Sequence, residues 1–185
     1  NRWWQNELCI NGQEFTSLET QVIWLTKELE PLEKQSKLHL IHGDFCFNNI
    51  LCDPLYTTVK LIDPRGESAP KKSYPQGYGD SRYDLVKLFH SIGGHYDSIV
   101  NDLFKIRWQG SKKLEFEVYV PSHQPFLAKT FQELLMKDKL DRQELNLLTA
   151  SLFFSMLPLH GEDLERQQAL AVSGMRLLNH AGDQC

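Results

Sequence analysis

The sequence predicts a mainly α fold with small β-hairpins, an α+β domain spanning residues 1–185. Three observations carry that expectation. Apolar residues recur at helical spacing in several long segments, and two pairs of short β-like runs are joined by turn residues. Strands never alternate with helices in the βαβ manner, which argues against a doubly wound parallel sheet.

The first helix is expected over Ser17 to Leu32. Ser17 can cap it, Glu19 lies in the first turn, and Leu18, Val22, Leu25 and Leu29 share a face. Pro31 is expected to end it or to lie close to its end. Leu38 to Ile41 is a short apolar run, the first strand-like stretch of any quality, and it leads into a His42–Asn49 loop. Ile50 to Cys52 and Val59 to Ile62 read as two strands, joined through Asp53-Pro54, which favours a turn.

Gly66 to Gly79 is rich in Gly, Pro, Ser and Lys and reads as an exposed loop. Ser81 to Ile92 returns to a helical pattern with Leu85, Leu88, Phe89 and Ile92 on one face, stopped by Gly93-Gly94. Tyr96 to Phe104 suggests another helix. Phe104 to Trp108 and Leu114 to Val120 suggest a second hairpin with one wet face. Helices then follow over Gln124 to Lys137, Arg142 to Leu157 (with Asp141 as cap) and Leu164 to Asn179.

Composition narrows the function classes. An apolar content of 41% with 24% charged residues is that of a globular protein. A net charge of −4, with no basic run longer than Lys71-Lys72 or Lys112-Lys113, gives no nucleic-acid surface. Cys9, Cys46, Cys52 and Cys185 form no C-x-x-C pair, so neither zinc binding nor dithiol chemistry is signalled, and a reducing, cytoplasmic setting is expected. The Asn1-Arg2-Trp3-Trp4-Gln5 start does not read as a signal peptide, and no apolar run is long enough to cross a bilayer. The absent initiator Met suggests a processed chain or a piece of something longer.

The chemistry concentrates in Leu40-Ile41-His42-Gly43-Asp44-Phe45-Cys46-Phe47-Asn48-Asn49-Ile50 and Lys60-Leu61-Ile62-Asp63-Pro64-Arg65-Gly66. Phosphoryl transfer from a nucleotide needs a carboxylate near the accepting hydroxyl and oxygen ligands that hold magnesium against the phosphates. Asp44 can supply the first; Asn49 and Asp63 can supply the second. A hairpin between the two segments would bring Asn49, just before one strand, beside Asp63, just after the other.

Bland alternatives stand beside each residue. His42, with His39 nearby, could be a ligand or base, but a magnesium site prefers oxygen. Arg65 could hold phosphate or substrate; a surface pair with Glu67 or Asp80 is the favoured reading. Asn48, Asp53 and Asp80 read as turn or capping residues. Trp3, Trp4, Trp24, Phe153 and Phe154 read as core, with an aromatic cage for a quaternary ammonium as the sharper alternative.

The order His42-Gly43-Asp44, Asn49, Ile62-Asp63-Pro64-Arg65-Gly66 and Gly79-Asp80-Ser81-Arg82-Tyr83-Asp84-Leu85 resembles the aminoglycoside phosphotransferase and choline kinase-like branch of the protein-kinase-like fold. The match runs directly over Leu38 to Leu88. It implies the C-terminal lobe of such an enzyme, with a catalytic loop at 40–66. The resemblance further implies that Asp44 orients or deprotonates the acceptor, and that Asn49 and Asp63 bind Mg2+ and, through it, ATP. His42 and Asp84 would support the loop backbone. Pro64 departs from the bulky residue common in the family at that position.

No G-x-G-x-x-G loop or strand lysine with a helix glutamate partner occurs, and Gly77-Tyr78-Gly79 lacks the rest of that pattern. A preceding N-terminal lobe would therefore have to roof the nucleotide. The expected activity is transfer of the γ-phosphoryl group of ATP to a small-molecule hydroxyl, an amino alcohol or sugar, within a longer protein. Two alternatives remain open: a catalytically silent nucleotide-binding or regulatory module of the same fold, and a metal-dependent phosphohydrolase built on His39, His42, Asp44 and Asp63.

Overall fold

The computed structural model of the protein describes residues 2–65, 77–138 and 141–182. It is an α+β fold. Two short strands come earlier than the sequence suggested: β1 (Leu8–Ile10) and β2 (Gln13–Phe15) form a hairpin. Its two-residue turn places Asn11 at φ 52° and Gly12 at φ 84°, the left-handed pair that matches strand twist. Three-residue strands are too short to show a period of two, so the Asn-Gly turn was their one signal.

Helix α1 (Leu18–Lys34) begins as expected, with Ser17 Oγ accepting from the Thr20 amide at 3.1 Å. It passes through Pro31 instead of stopping there. One amide is lost in the last turn, and the Gln35 and Ser36 amides close the end on Leu32 and Glu33 at 3.2 and 3.1 Å. Its buried face carries Leu18, Gln21 and Leu25; Val22 is exposed. On that face the Gln21 amide donates to Thr16 O at 3.1 Å, while its Oε1 has no partner.

Strand β3 (Leu38–Leu40) precedes the loop, and the hairpin β4 (Ile50–Cys52) and β5 (Val59–Leu61) follows it, with Ile50 opposite Leu61. Asp53 is the turn residue, accepting from the Thr58 amide at 2.7 Å. Of the expected 66–79 loop, residues 66–76 lie outside the described residues, whereas Tyr78–Asp80 is a strand, β6, pairing antiparallel with β3.

Ahead of helix α2 (Arg82–Ile92), Ser81 holds the cap position without a side-chain bond, and Asp80 Oδ1 accepts the Arg82 amide at 2.9 Å. Helix α3 (Tyr96–Val100) is shorter than expected. The chain turns at Asp102 (φ 58°), and β7 begins at Phe104. Strands β7 (Phe104–Gln109) and β8 (Lys113–Val118) form the second hairpin, alternating as the sequence implied. Strand β8 also pairs in parallel with β1, completing a sheet ordered β2-β1-β8-β7. The Asn11 side chain extends that ladder by exchanging two 2.8 Å bonds with the Phe116 backbone.

Helices α4 (Gln124–Asp138), α5 (Arg142–Met156) and α6 (Leu164–Gly182) complete the chain. Asp141 holds the cap position of α5 through its backbone alone. One apolar core joins the inner face of the sheet (Leu8, Ile10, Leu114, Phe116) to α2, α5 and α6. Trp3 and Phe153 belong to it; Trp4 and Trp24 are exposed and Phe154 is half-buried, so the aromatic set divides. None of the described helices is long and apolar enough to cross a membrane.

Arg82 ties three elements together. Its guanidinium binds Asp80 on β6, Glu144 on α5 and, at 2.8 Å, the Leu32 carbonyl on α1. Arg82→Met should cost about 2–3 kcal/mol in urea unfolding, because two half-buried carboxylates and the Leu32 carbonyl lose their partner.

His90 is fully buried between Tyr96 and Phe153, its ring centroid 4.2 Å from each, and neither nitrogen has a partner. Burial, helped by the Lys87 charge, pushes its pKa well below the ordinary value. The neutral form is thus the folded form. Stability is full above the unfolded histidine pKa of about 6.5 and falls as pH drops below it, since only the unfolded chain takes up the proton. His90→Leu should flatten the fall of Tm between about pH 7 and 5. An unchanged slope would assign the acid sensitivity to other groups.

Candidate active site

Two backbone hydrogen bonds bring the loop and the hairpin exit together. The Ile62 amide donates to Asn49 O at 3.0 Å, continuing the β4–β5 ladder by one residue. The Arg65 amide donates to His42 O at 2.8 Å. Asp63 is bracketed between these two ties. It is exposed and sits at φ 55°, a left-handed conformation that Asp adopts more readily than most residues. The two ties therefore bring the segments carrying Asp44, Asn49 and Asp63 together.

The loop is organised from within by the Asp44 carbonyl, which accepts from the Cys46 amide at 2.9 Å and the Asn49 side-chain amide at 2.8 Å. That bond fixes the orientation of the buried Asn49 amide, because a flipped group would set oxygen against oxygen. Its Oδ1 remains for a ligand. Gly43 turns the chain at φ 78°, in the left-handed region that favours glycine. His42 Nδ1 accepts from the Asp44 amide at 3.3 Å, and its Nε2 is buried without a partner. The imidazole thus supports the loop from inside. Asn48 is exposed and outside this network.

From below, α2 presents one polar stripe to the loop. Asp84 accepts from the His42 amide at 2.7 Å and the Gly43 amide at 3.0 Å. Lys87, one turn on, places Nζ 2.9 Å from Asp44 Oδ1. Ser91, another turn on, accepts from the Phe47 amide at 3.4 Å. The spacing i, i+3, i+7 sets all three on one helix face. Removing both acceptors with Asp84→Ala should cost about 2–4 kcal/mol in chemical denaturation, with Asp84→Asn intermediate because one oxygen survives.

Lys87 is the side chain at Asp44 that the sequence did not single out. Its signal was Asp84-Leu85-Val86-Lys87: a residue one turn from the loop-binding Asp84 faces the same loop. Arg65 pairs with Asp44, Nε to Oδ2 at 3.3 Å; of its two expected partners, Asp80 is held by Arg82 and Glu67 lies outside the described residues. The two cations differ in weight. The Arg65 side chain is 64% exposed and its pair is worth at most about 1 kcal/mol, whereas Lys87, at 13%, is desolvated and firmly held.

Asn49 Oδ1 and the Asp63 carboxylate are hard oxygen donors, the set magnesium takes alongside phosphate and water. Among the described residues, no group of three or more His, Cys, Asp or Glu could hold a metal ion. The His39, His42, Asp44 and Asp63 grouping is thus not assembled: His39 lies in β3 opposite Gly79, and His42 faces its own loop. Compared with protein-family models, curated proteins and solved structures, the chain matches none.

Proposed function

We propose that this chain is the catalytic, C-terminal lobe of a kinase-like phosphotransferase. It moves the γ-phosphoryl group of ATP to a hydroxyl of a small molecule, an amino alcohol or sugar. The observation that supports the reading is the pair of backbone ties, Ile62 to Asn49 and Arg65 to His42, which joins the segment carrying Asp44 and Asn49 to the one carrying Asp63.

In this reading Asp44 orients the acceptor hydroxyl. As the new oxygen–phosphorus bond forms and the bond to ADP breaks, the proton passes to an Asp44 carboxylate oxygen and then to solvent. Asn49 and Asp63 hold magnesium, which neutralises phosphate charge when bound. Lys87 and Arg65 balance Asp44 in the resting site and face the transferring group's negative charge as it develops.

A second body roofing the nucleotide suits the hairpin. Leu51 (48% exposed), Leu61 (51%) and Ile62 (41%), in the hairpin and at its exit, stand in solvent, and a two-stranded hairpin is marginal when uncovered. An N-terminal lobe preceding this chain is the proposed cover. The described cysteines are free thiols, which suits a cytoplasmic protein.

The test is product formation. With Mg·ATP and a panel of amino alcohols and sugars, 31P NMR of the protein together with its roofing lobe should show a phosphate monoester and ADP in equal amounts. ADP and inorganic phosphate released at the same rate with and without acceptor would point to hydrolysis and overturn the reading.

A further inference from the structure

A cavity of about 450 Å³, lined by no residue of the 42–49 loop, lies between the inner face of β8, the C-terminal end of α2, and helices α5 and α6. That volume suits a metabolite-sized ligand. Two guanidinium groups line it: Arg142 at the start of α5 and Arg176 on α6. Neither pairs with a carboxylate among the described residues, and no Asp or Glu lines the cavity.

The wall behind them is apolar and polar by turns. Arg142 Cζ lies 4.8 Å from the centroid of the buried Phe89 ring, so the guanidinium stacks on an aromatic face. Phe116, Val118 and Leu177 extend the apolar surface. Asn146 is only 3% exposed, and its Oδ1 has no hydrogen-bond partner. His95, also on the wall, has a buried Nδ1 without a partner. Burial and the Arg176 charge lower its pKa, so the ring is neutral at pH 7 and can donate or accept. Buried polar atoms in this state are normally satisfied.

We infer that this cavity is a second binding site, for a small organic oxyanion with a flat apolar body. The two guanidiniums take the carboxylate or phosphate head by charge-assisted hydrogen bonds. Phe89, Phe116 and Leu177 take the body, and Asn146 and His95 take a hydroxyl or amide on it. The inference stands on the cavity alone and does not rest on the phosphotransferase reading.

Benzoate and phenyl phosphate supply the two head groups on one flat body, and benzyl alcohol is the neutral control. Titrated into the 15N-labelled chain, at least one oxyanion should shift the Gly93, Gly94 and Ser173 amides, with benzyl alcohol at least about tenfold weaker. Which oxyanion binds more tightly distinguishes the carboxylate from the phosphate source. Arg142→Gln and Arg176→Gln, both exposed positions, should each weaken binding about tenfold. Asp44→Asn should leave it unchanged. Binding of neither oxyanion, binding indifferent to both arginine changes, or binding lost in Asp44→Asn would overturn the inference.

Discussion

Asp44→Asn is expected to lower phosphoryl transfer by about two to four orders of magnitude, the usual contribution of a positioned base. Magnesium-dependent ATP binding should stay within about twofold. The separation follows from which atoms of Asp44 do what. Its carboxylate faces Lys87 and Arg65 and, in the proposed reaction, the acceptor hydroxyl. Its carbonyl, which the substitution leaves in place, holds the Cys46 amide and the Asn49 side chain. Asparagine keeps the shape but cannot take the proton, and the metal-type oxygen of Asn49 stays where it was. Single-turnover ADP release and nucleotide titration, run on the same preparation, separate the two effects. Equal losses in both would contradict the division of roles.

Asp63→Asn should do the reverse. One formal negative charge disappears from the proposed magnesium site, and affinity for Mg·ATP should fall by about one to two orders of magnitude, a loss of about 1.4–2.8 kcal/mol. Folding should be almost untouched. Asp63 is exposed, and asparagine tolerates its φ of 55° as well as aspartate does. Magnesium titration at fixed ATP measures the loss, and unfolding curves report stability. Unaltered Mg·ATP affinity in a folded Asp63→Asn protein would remove Asp63 from the site.

Much of the local layout was legible because it rests on short-range chemistry. Asp53-Pro54 announced the turn, and a hairpin with Ile50 opposite Leu61 necessarily brings Asn49 beside Ile62 and Asp63. Ser17 announced the start of α1, and Gly93-Gly94 the end of α2. Long-range pairing was not legible. Nothing in Leu8-Cys9-Ile10 says that it will lie parallel to Lys113–Val118, because that register depends on contacts set by the whole core. Arg65 and Lys87 fall between these cases. Each is a single cation, and only the folded loop shows that Asp44 is what both of them meet.

The central claim is that Asp44, Asn49 and Asp63 border one site for a divalent cation carrying ATP. Paramagnetic broadening tests it without requiring turnover or tight binding. With Mn2+ in place of Mg2+ and ATP present, amide signals of Gly43 to Asn49 and Ile62 to Arg65 should broaden together. Those of the β7–β8 turn around Gly110 should stay sharp. Broadening confined to one of the two segments, or centred elsewhere on the protein, would contradict the account.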